Sequence, residues 1–257
     1  EVHLVSRSRF LKMSHPKLVH LARNELSGTK ILENTVLKGI RGNTRVAGVV
    51  LEGEDGVTEL SCDAVLIAAG LNARSDMIVG IDKRPNGEII VDRKMRTSMP
   101  GVYACGDVTG SPRLTPVARA EGIVAAENIL GREREMDYSA IPRSMNLFQE
   151  YAFVDGETSS AVSAMTPGPA GPGTFWSVPS GRTGFARVSA DPGTGKVCGV
   201  QTVAPAAGII AAYSAFLIRQ ETGIASFEDF MEVHPMADGV YPLMKYLAGK
   251  FRNGNIP

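Results

Sequence analysis

The sequence predicts an α/β part followed by an α+β part with an antiparallel sheet. The continuous apolar run Asp63–Gly70, closed by glycine, is typical of a parallel strand buried on both faces, and Gly101–Asp107 reads as a buried strand with a carboxylate at its end. After Glu135 the texture changes. The Pro/Gly-rich stretch 166–173 cannot be regular structure. Beyond it, Gly184–Ala190 and Val197–Val203 flank the turn residues Asp191 to Gly195, which makes an antiparallel hairpin. The 257 residues, at roughly 150 per domain, point to about two domains, with a boundary near residue 136.

Each element has a local reason. Val2–Val5 is a short β-type run. Ser14 is placed to cap, and Pro16 to open, a helix over Lys17–Leu26 that Gly28 ends. Lys30–Leu32, Thr35–Gly39, Val46–Leu51 and Val57–Ser61 read as strands, with Glu54-Asp55-Gly56 as the hairpin turn before the last. Gly87–Val91 is a further strand. Leu114–Gly131 is helical, and its small residues Ala118, Ala120, Ala125 and Ala126 permit close packing. Thr174–Val178 adds a strand, and helices are expected over Ala206–Gln220, near Ser226–Met231 and over Met236–Ala248. The uncharged run Val203–Ile218 is broken by Pro205 and Gly208 and is too short to span a bilayer, so it reads as a packed, alanine-rich helix.

Composition excludes several classes. Hydrophobic residues are 44%, charged residues 21% and the net charge is zero, so the basic excess of a dedicated nucleic-acid binder is missing. The opening Glu1–His3 lacks the basic and apolar regions of a secretory leader. Cys62, Cys105 and Cys198 are far apart and form no C-x-x-C pair, which rules out a disulfide scaffold and a dithiol of neighbouring cysteines. Each is read as a small buried hydrophobe, and the low count fits a reducing cytoplasm. His, Cys and carboxylates show no ligand spacing, so no metal site is expected.

The strongest chemical signal is Gly106-Asp107 at the end of an apolar run. A carboxylate at the carboxyl edge of a sheet stands where α/β ligands bind, and Asp107 there can accept hydrogen bonds from ligand hydroxyls. The plain alternative is a turn aspartate that caps the next segment. Gly101 to Asp107, then Leu114-Thr115-Pro116-Val117-Ala118, Ala120-Glu121-Gly122 and Ala125 to Ile129 together resemble the second FAD motif of the pyridine nucleotide–disulfide oxidoreductases. The resemblance implies that Gly106 and Asp107 hold the ribityl chain of FAD, and that Thr115, Pro116, Val117 and Ala118 line the isoalloxazine at a helix N-terminus, where partial negative charge is favoured.

That resemblance spans nearly the whole chain. It implies a partial NAD(P)-binding domain over residues 1–72 and the C-terminal part of an FAD-binding domain over 73–136. A dimerisation domain of the dihydrolipoamide dehydrogenase and glutathione reductase branch follows over 137–257, with Glu150-Tyr151-Ala152 in a structural role at its start. Short thioredoxin reductases lack that domain. In dinucleotide folds the end of the second strand meets the adenosine ribose, where an acid suits NAD and arginine suits the 2′-phosphate of NADP. Ser6, Arg7 and Arg9 follow Val2–Val5 with no acid among them, which favours NADP over NAD, and Gly70 ends the strand that closes this domain.

His234-Pro235 resembles the family's catalytic His-Pro, in which the histidine exchanges a proton with a substrate thiol at the partner subunit's site. The family orients that histidine with a glutamate five residues on. Gly239 stands at that position here, and Asp238, one residue earlier, is the candidate substitute.

No G-x-G-x-x-G loop occurs in the chain. The resemblance therefore implies the C-terminal half of such an oxidoreductase, with the FAD pyrophosphate loop and redox cysteine pair upstream of the part that matches Glu1. A sheet without its central strand leaves edges unpaired. Another chain, an absent upstream segment or a rearrangement of residues 1–70 would each resolve that. Three functions are weighed. The first is an FAD- and NAD(P)H-dependent, homodimeric enzyme acting on a small-molecule thiol or disulfide. The second is a catalytically incomplete dimerisation module, and the third a peroxide or oxygen reductase that does not use His234.

Overall fold

The computed structural model describes residues 1–12, 14–110, 112–155, 160–166, 184–232 and 239–254. In chain order the elements are β1 (Val2–Val5), α1 (Pro16–Glu25), β2 (Thr29–Leu32), β3 (Val36–Gly42), β4 (Val46–Gly53), β5 (Gly56–Ser61) and α2 (Thr115–Ile129). There follow β6 (Pro142–Asn146), β7 (Glu150–Asp155), β8 (Val162–Met165), β9 (Phe185–Ala190), β10 (Val197–Val203), α3 (Ala207–Arg219) and α4 (Val240–Arg252). Residues 1–66 and 142–257 form one compact unit, and residues 67–141 form another.

The first unit is built on an antiparallel sheet of five strands in the order β6-β7-β10-β9-β8. Strands β9 and β10 are buried along almost their whole length because both faces are covered. On one face Ala186, Val188, Ala190 and Val200 pack against Ile210 and Leu217 of α3 and against Leu243, Met244 and Leu247 of α4. On the other, Tyr151, Phe185 and Val203 meet Leu18 and Ala22 of α1. The two α1 residues are four apart and so share one helix face. The period of two along each strand sends alternate side chains to the two helical layers.

Helix α1 is capped one residue later than expected. His15, not Ser14, is the cap, and its Nδ1 accepts a hydrogen bond from the Lys17 N–H at 3.2 Å, with Pro16 in the first turn. A two-stranded parallel sheet pairs β1 with β2, and β3-β4-β5 form an antiparallel meander whose β4–β5 turn lies at the expected Glu54–Gly56. Strands β6, β7 and β8 carry no clear alternation in sequence and are additions to the expected set. The helix expected near Ser226–Met231 is a short 3-10 turn over Ile224–Phe227, and α4 runs to Arg252 rather than Ala248. Thr174–Val178 lies outside the described residues.

The second unit and the segment leading into it depart most from expectation. Asp63–Gly70 forms no strand, and Leu66 and Ile67 are 92% and 65% exposed. Gly101–Asp107 and Gly87–Val91 are not strands either; they keep only isolated bridges, Arg96 with Tyr103 and Lys83 with Ile89. An apolar run becomes a strand only when another strand satisfies its N–H and C=O groups, and none among the described residues pairs with these three. The unit is held instead by a cluster of Met95, Val117, Val124, Ala125 and Met136. Side chains tie its loops together: Asn128 Nδ2 donates to the carbonyls of Val124 and Arg134 at 2.8 and 2.7 Å, and Arg93 donates to that of Met136.

Candidate functional site

The site grows from a tight turn in the second unit. Gly106 has φ +81°, a backbone region essentially reserved for glycine, and leads into a 3-10 turn over Asp107–Thr109. The turn closes on itself: Thr109 N–H donates to Gly106 O at 2.9 Å. A Cβ at Gly106 would touch only Ala118 Cβ, at 3.5 Å, so the turn runs alongside the first turn of α2. Asp107 is exposed and free to meet a ligand.

Helix α2 begins at Thr115 with Pro116 in its first turn, and no side chain among the described residues caps its N-terminus. Helix starts leave N–H groups without intrahelical partners, and proline removes one of them. Thr115 and Pro116 are exposed and Ala118 is half-buried. The Val117 side chain, 5% exposed, belongs to the core, so only its backbone can face a ligand. Gly106 thus lies against Ala118 in the first turn of α2, with the exposed Asp107 next in the chain and the exposed Thr115 and Pro116 at the helix start. A carboxylate acceptor and free helix N–H donors suit a polyhydroxylated chain and a ring that takes up negative charge on reduction, so these residues fit a flavin.

Two buried carboxylates hold the turn. Glu121, 4% exposed, accepts from the Gly106 N–H on Oε2 at 2.6 Å and from the Tyr138 hydroxyl on Oε1 at 2.7 Å. Burial, then the hydrogen bond and negative charge of Glu121, push the Tyr138 phenol well above its usual range. Glu88 accepts from Arg113 Nη2 at 2.6 Å and from Arg84 Nη1 at 3.3 Å. It sits against Gly110, where a Cβ would come within 2.7 Å of Glu88 Oε2. Sequence reasoning singles out neither Glu88 nor Tyr138, and it meets Glu121 only as part of the motif. A glutamate on the inner face of a helix of small residues was the available signal.

The remaining candidates lie elsewhere. Ser6 follows β1 in the first unit, where its carbonyl accepts the Thr35 N–H at 2.9 Å. Arg7 and Arg9 are exposed and have no carboxylate within 4 Å among the described residues. The acid at the end of β2, Glu33, is already engaged: it accepts from the Phe10 N–H at 2.5 Å and pairs with Arg23 at 2.7 Å. The Phe10 amide and then Arg23 hold its carboxyl below the usual range against the opposing effect of burial. Gly70, at φ +91°, belongs to the second unit. His234 and Asp238 lie outside the described residues. Gly239, φ +69°, is the left-handed residue preceding α4. The cysteines depart from expectation: Cys105 is exposed and Cys62 and Cys198 are half-buried. Among the described residues no His, Cys, Asp and Glu cluster could hold a metal, and no helix is long and apolar enough to cross a membrane.

Comparison with known proteins bears on the family and the fold. Residues 1–122 match the family described as pyridine nucleotide-disulphide oxidoreductase. The chain is 30% identical over 196 residues to a dihydrolipoyl dehydrogenase of Chlamydia trachomatis, covering 72% of this chain and 42% of that protein. It is 30% identical over 205 residues to a mercuric reductase of Acidithiobacillus ferrooxidans, covering 74% of this chain and 35% of that one. The chain therefore spans less than half the length of these curated relatives. Among solved structures, LpdA of Mycobacterium tuberculosis has a similar fold, with a TM-score of 0.80 at 22% identity over 97% of this chain and 56% of that one. The HOCl-induced flavoprotein disulfide reductase RclA of Escherichia coli follows, with a TM-score of 0.77 at 18% identity over 98% of this chain and 59% of that one.

Proposed function

The chain belongs to the pyridine nucleotide-disulphide oxidoreductase family, and from that premise we propose that it is the C-terminal portion of an FAD- and NAD(P)H-dependent disulfide or dithiol oxidoreductase of the dihydrolipoamide dehydrogenase type. The Gly106–Asp107 turn beside the uncapped start of α2 carries this reading. Asp107 accepts hydrogen bonds from the ribityl hydroxyls of FAD, and a charge-assisted bond of that kind contributes about 1.5–3 kcal/mol. The first turn of α2 directs its N–H groups and positive dipole end at the ring, which favours the reduced, more negative form. The bound flavin supplies the two-electron chemistry between nicotinamide and thiol.

Arg7 and Arg9, exposed and with no carboxylate within 4 Å among the described residues, bind the 2′-phosphate of NADP, and the lack of an acid among Ser6, Arg7 and Arg9 supports that preference over NAD. His234 takes and returns the proton of a small thiol or disulfide substrate, with Asp238 as its orienting partner. The protein works as a homodimer in the cytoplasm. On α3, Ile209, Tyr213 and Phe216 are exposed at spacings of four and three, so they form one apolar face suited to a second copy.

One observation favours the second reading, a dimerisation module without catalysis. A glutamate at position 239 would have to adopt a backbone with φ +69°, so the family's orienting acid is not merely absent but disfavoured there. The test is purification of the full-length protein with and without Asp107→Ala. The oxidoreductase predicts a yellow wild-type protein with flavin absorbance and a variant that loses most of its flavin. A wild-type protein that is colourless and ignores added FAD refutes it in favour of the module.

A further inference from the structure

The Gly106–Asp107 turn has no regular strand beneath it, so something else must set its direction. Its carbonyl side is satisfied locally, by the Thr109 N–H and hydroxyl, both 2.9 Å from Gly106 O. The Thr109 hydroxyl also lies 3.3 Å from Glu121 Oε2, but its single proton serves the shorter contact. Among the described residues the amide side depends on Glu121 alone, through the 2.6 Å bond from the Gly106 N–H to Oε2. Glu121 lies on the same helix whose first turn forms the other wall of the site. Its second oxygen accepts the Tyr138 hydroxyl at 2.7 Å, so rotating the carboxylate away would break that bond as well. A second brace acts further along: Ile89 N–H donates to Val108 O at 2.9 Å, and Arg84 Nη1 donates to Thr109 O at 3.1 Å.

We propose that Glu121 is a positioning residue of the flavin site: by locking the Gly106 peptide to α2, it fixes where the Asp107 carboxylate stands relative to the uncapped first turn of that helix. This rests on the flavin reading above. Glu121 itself is buried beneath the turn and touches no ligand. Its effect passes through Gly106, whose φ of +81° gives the peptide a conformation that can swing once its N–H is released. The cofactor then binds a turn that must first be ordered, which weakens binding without removing any ligand contact.

The experiment compares Glu121→Leu, Glu121→Gln and Tyr138→Phe in the full-length protein. It reads the FAD dissociation constant of the apoprotein, amide hydrogen exchange at Gly106 and Asp107, and the urea midpoint. Glu121→Leu should weaken FAD about tenfold or more, the effect of losing a charged acceptor, and should speed exchange at Gly106. Glu121→Gln keeps a carbonyl for the Gly106 N–H and presents its amide to the Tyr138 oxygen, so it should restore FAD affinity to within about threefold. Tyr138→Phe leaves the Gly106 bond intact and should do the same. Should Glu121→Leu lower the urea midpoint while FAD affinity stays at wild type, the residue is only a structural staple and the proposal fails. It fails equally if Glu121→Gln is as weak as Glu121→Leu, since charge rather than the peptide lock would then matter. A wild-type protein that binds no FAD overturns the flavin reading itself, and this inference with it.

Discussion

Glu25 and Tyr151 join helix α1 to the five-stranded sheet, and their separate removal should have unequal costs. Tyr151 is fully buried, and its hydroxyl donates to Glu25 Oε1 at 2.8 Å. Glu25 Oε2 accepts the N–H groups of Phe148 and Gln149 at 2.7 and 3.1 Å, at the turn between β6 and β7. Glu25→Ala strands the Tyr151 hydroxyl in the core, a penalty of about 1–3 kcal/mol. The two turn amides lie near solvent, where water replaces the carboxylate, and add roughly 0–1 kcal/mol. Tyr151→Phe removes the buried donor together with its bond and leaves Glu25 with two amide donors, so it should cost only about 1 kcal/mol. In the Glu25→Ala background, Tyr151→Phe should therefore be neutral or stabilising, because no hydroxyl is left unpaired. Urea unfolding, together with native-state exchange of the α1 and β7 amides, reads these differences. Equal costs for the two single variants, or a double variant that simply sums them, would refute the view that an orphaned hydroxyl dominates.

Three other perturbations probe the nucleotide site, the apolar face of α3 and the phenols of Tyr138 and Tyr151. Replacing Arg7 and Arg9 with glutamate should lower the preference for NADPH over NADH, measured as a ratio of kcat/KM, by about tenfold or more, since each arginine offers a charge-assisted contact to a phosphate; an unchanged ratio removes these residues from the nucleotide site. Phe216→Asp on the exposed face of α3 should convert a dimer to monomers in sedimentation, with little change in protomer folding; a persistent dimer places the interface elsewhere. At alkaline pH these two tyrosines should show themselves. Burial first, and then the hydrogen bonds to Glu25 and Glu121, raise the phenols of Tyr151 and Tyr138 in the folded protein. Their contribution is whole below the unfolded phenol value of about 10 and declines as pH climbs toward the folded values, because the unfolded chain sheds protons that the folded one keeps. The urea midpoint should fall above about pH 10, and less so when both tyrosines are phenylalanine; identical slopes would refute this.

What could be read from the residues alone is what local chemistry decides. Pro16 starts α1 and Pro116 starts α2. The acidic turn at Glu54–Gly56 closes β4 on β5, and the paired runs at Phe185–Ala190 and Val197–Val203 form a hairpin around Asp191. Gly106-Asp107 was legible because a carboxylate closing an apolar run stands out, although the turn at Gly106, with φ +81°, replaces the expected strand. Partners distant in the chain were fixed by folding in three dimensions. Asp63–Gly70 and Gly101–Asp107 have the composition of buried strands, but apolar character records a tendency to leave water and does not name the strand that supplies the hydrogen bonds. Likewise, nothing in the residues around Leu18 and Ala22 specifies that their helix packs on Tyr151, Phe185 and Val203. The carboxylate of Glu121 enters the sequence reading only as part of the motif; it becomes an anchor only because the chain returns to lay the Gly106 amide and the Tyr138 hydroxyl against its two oxygens.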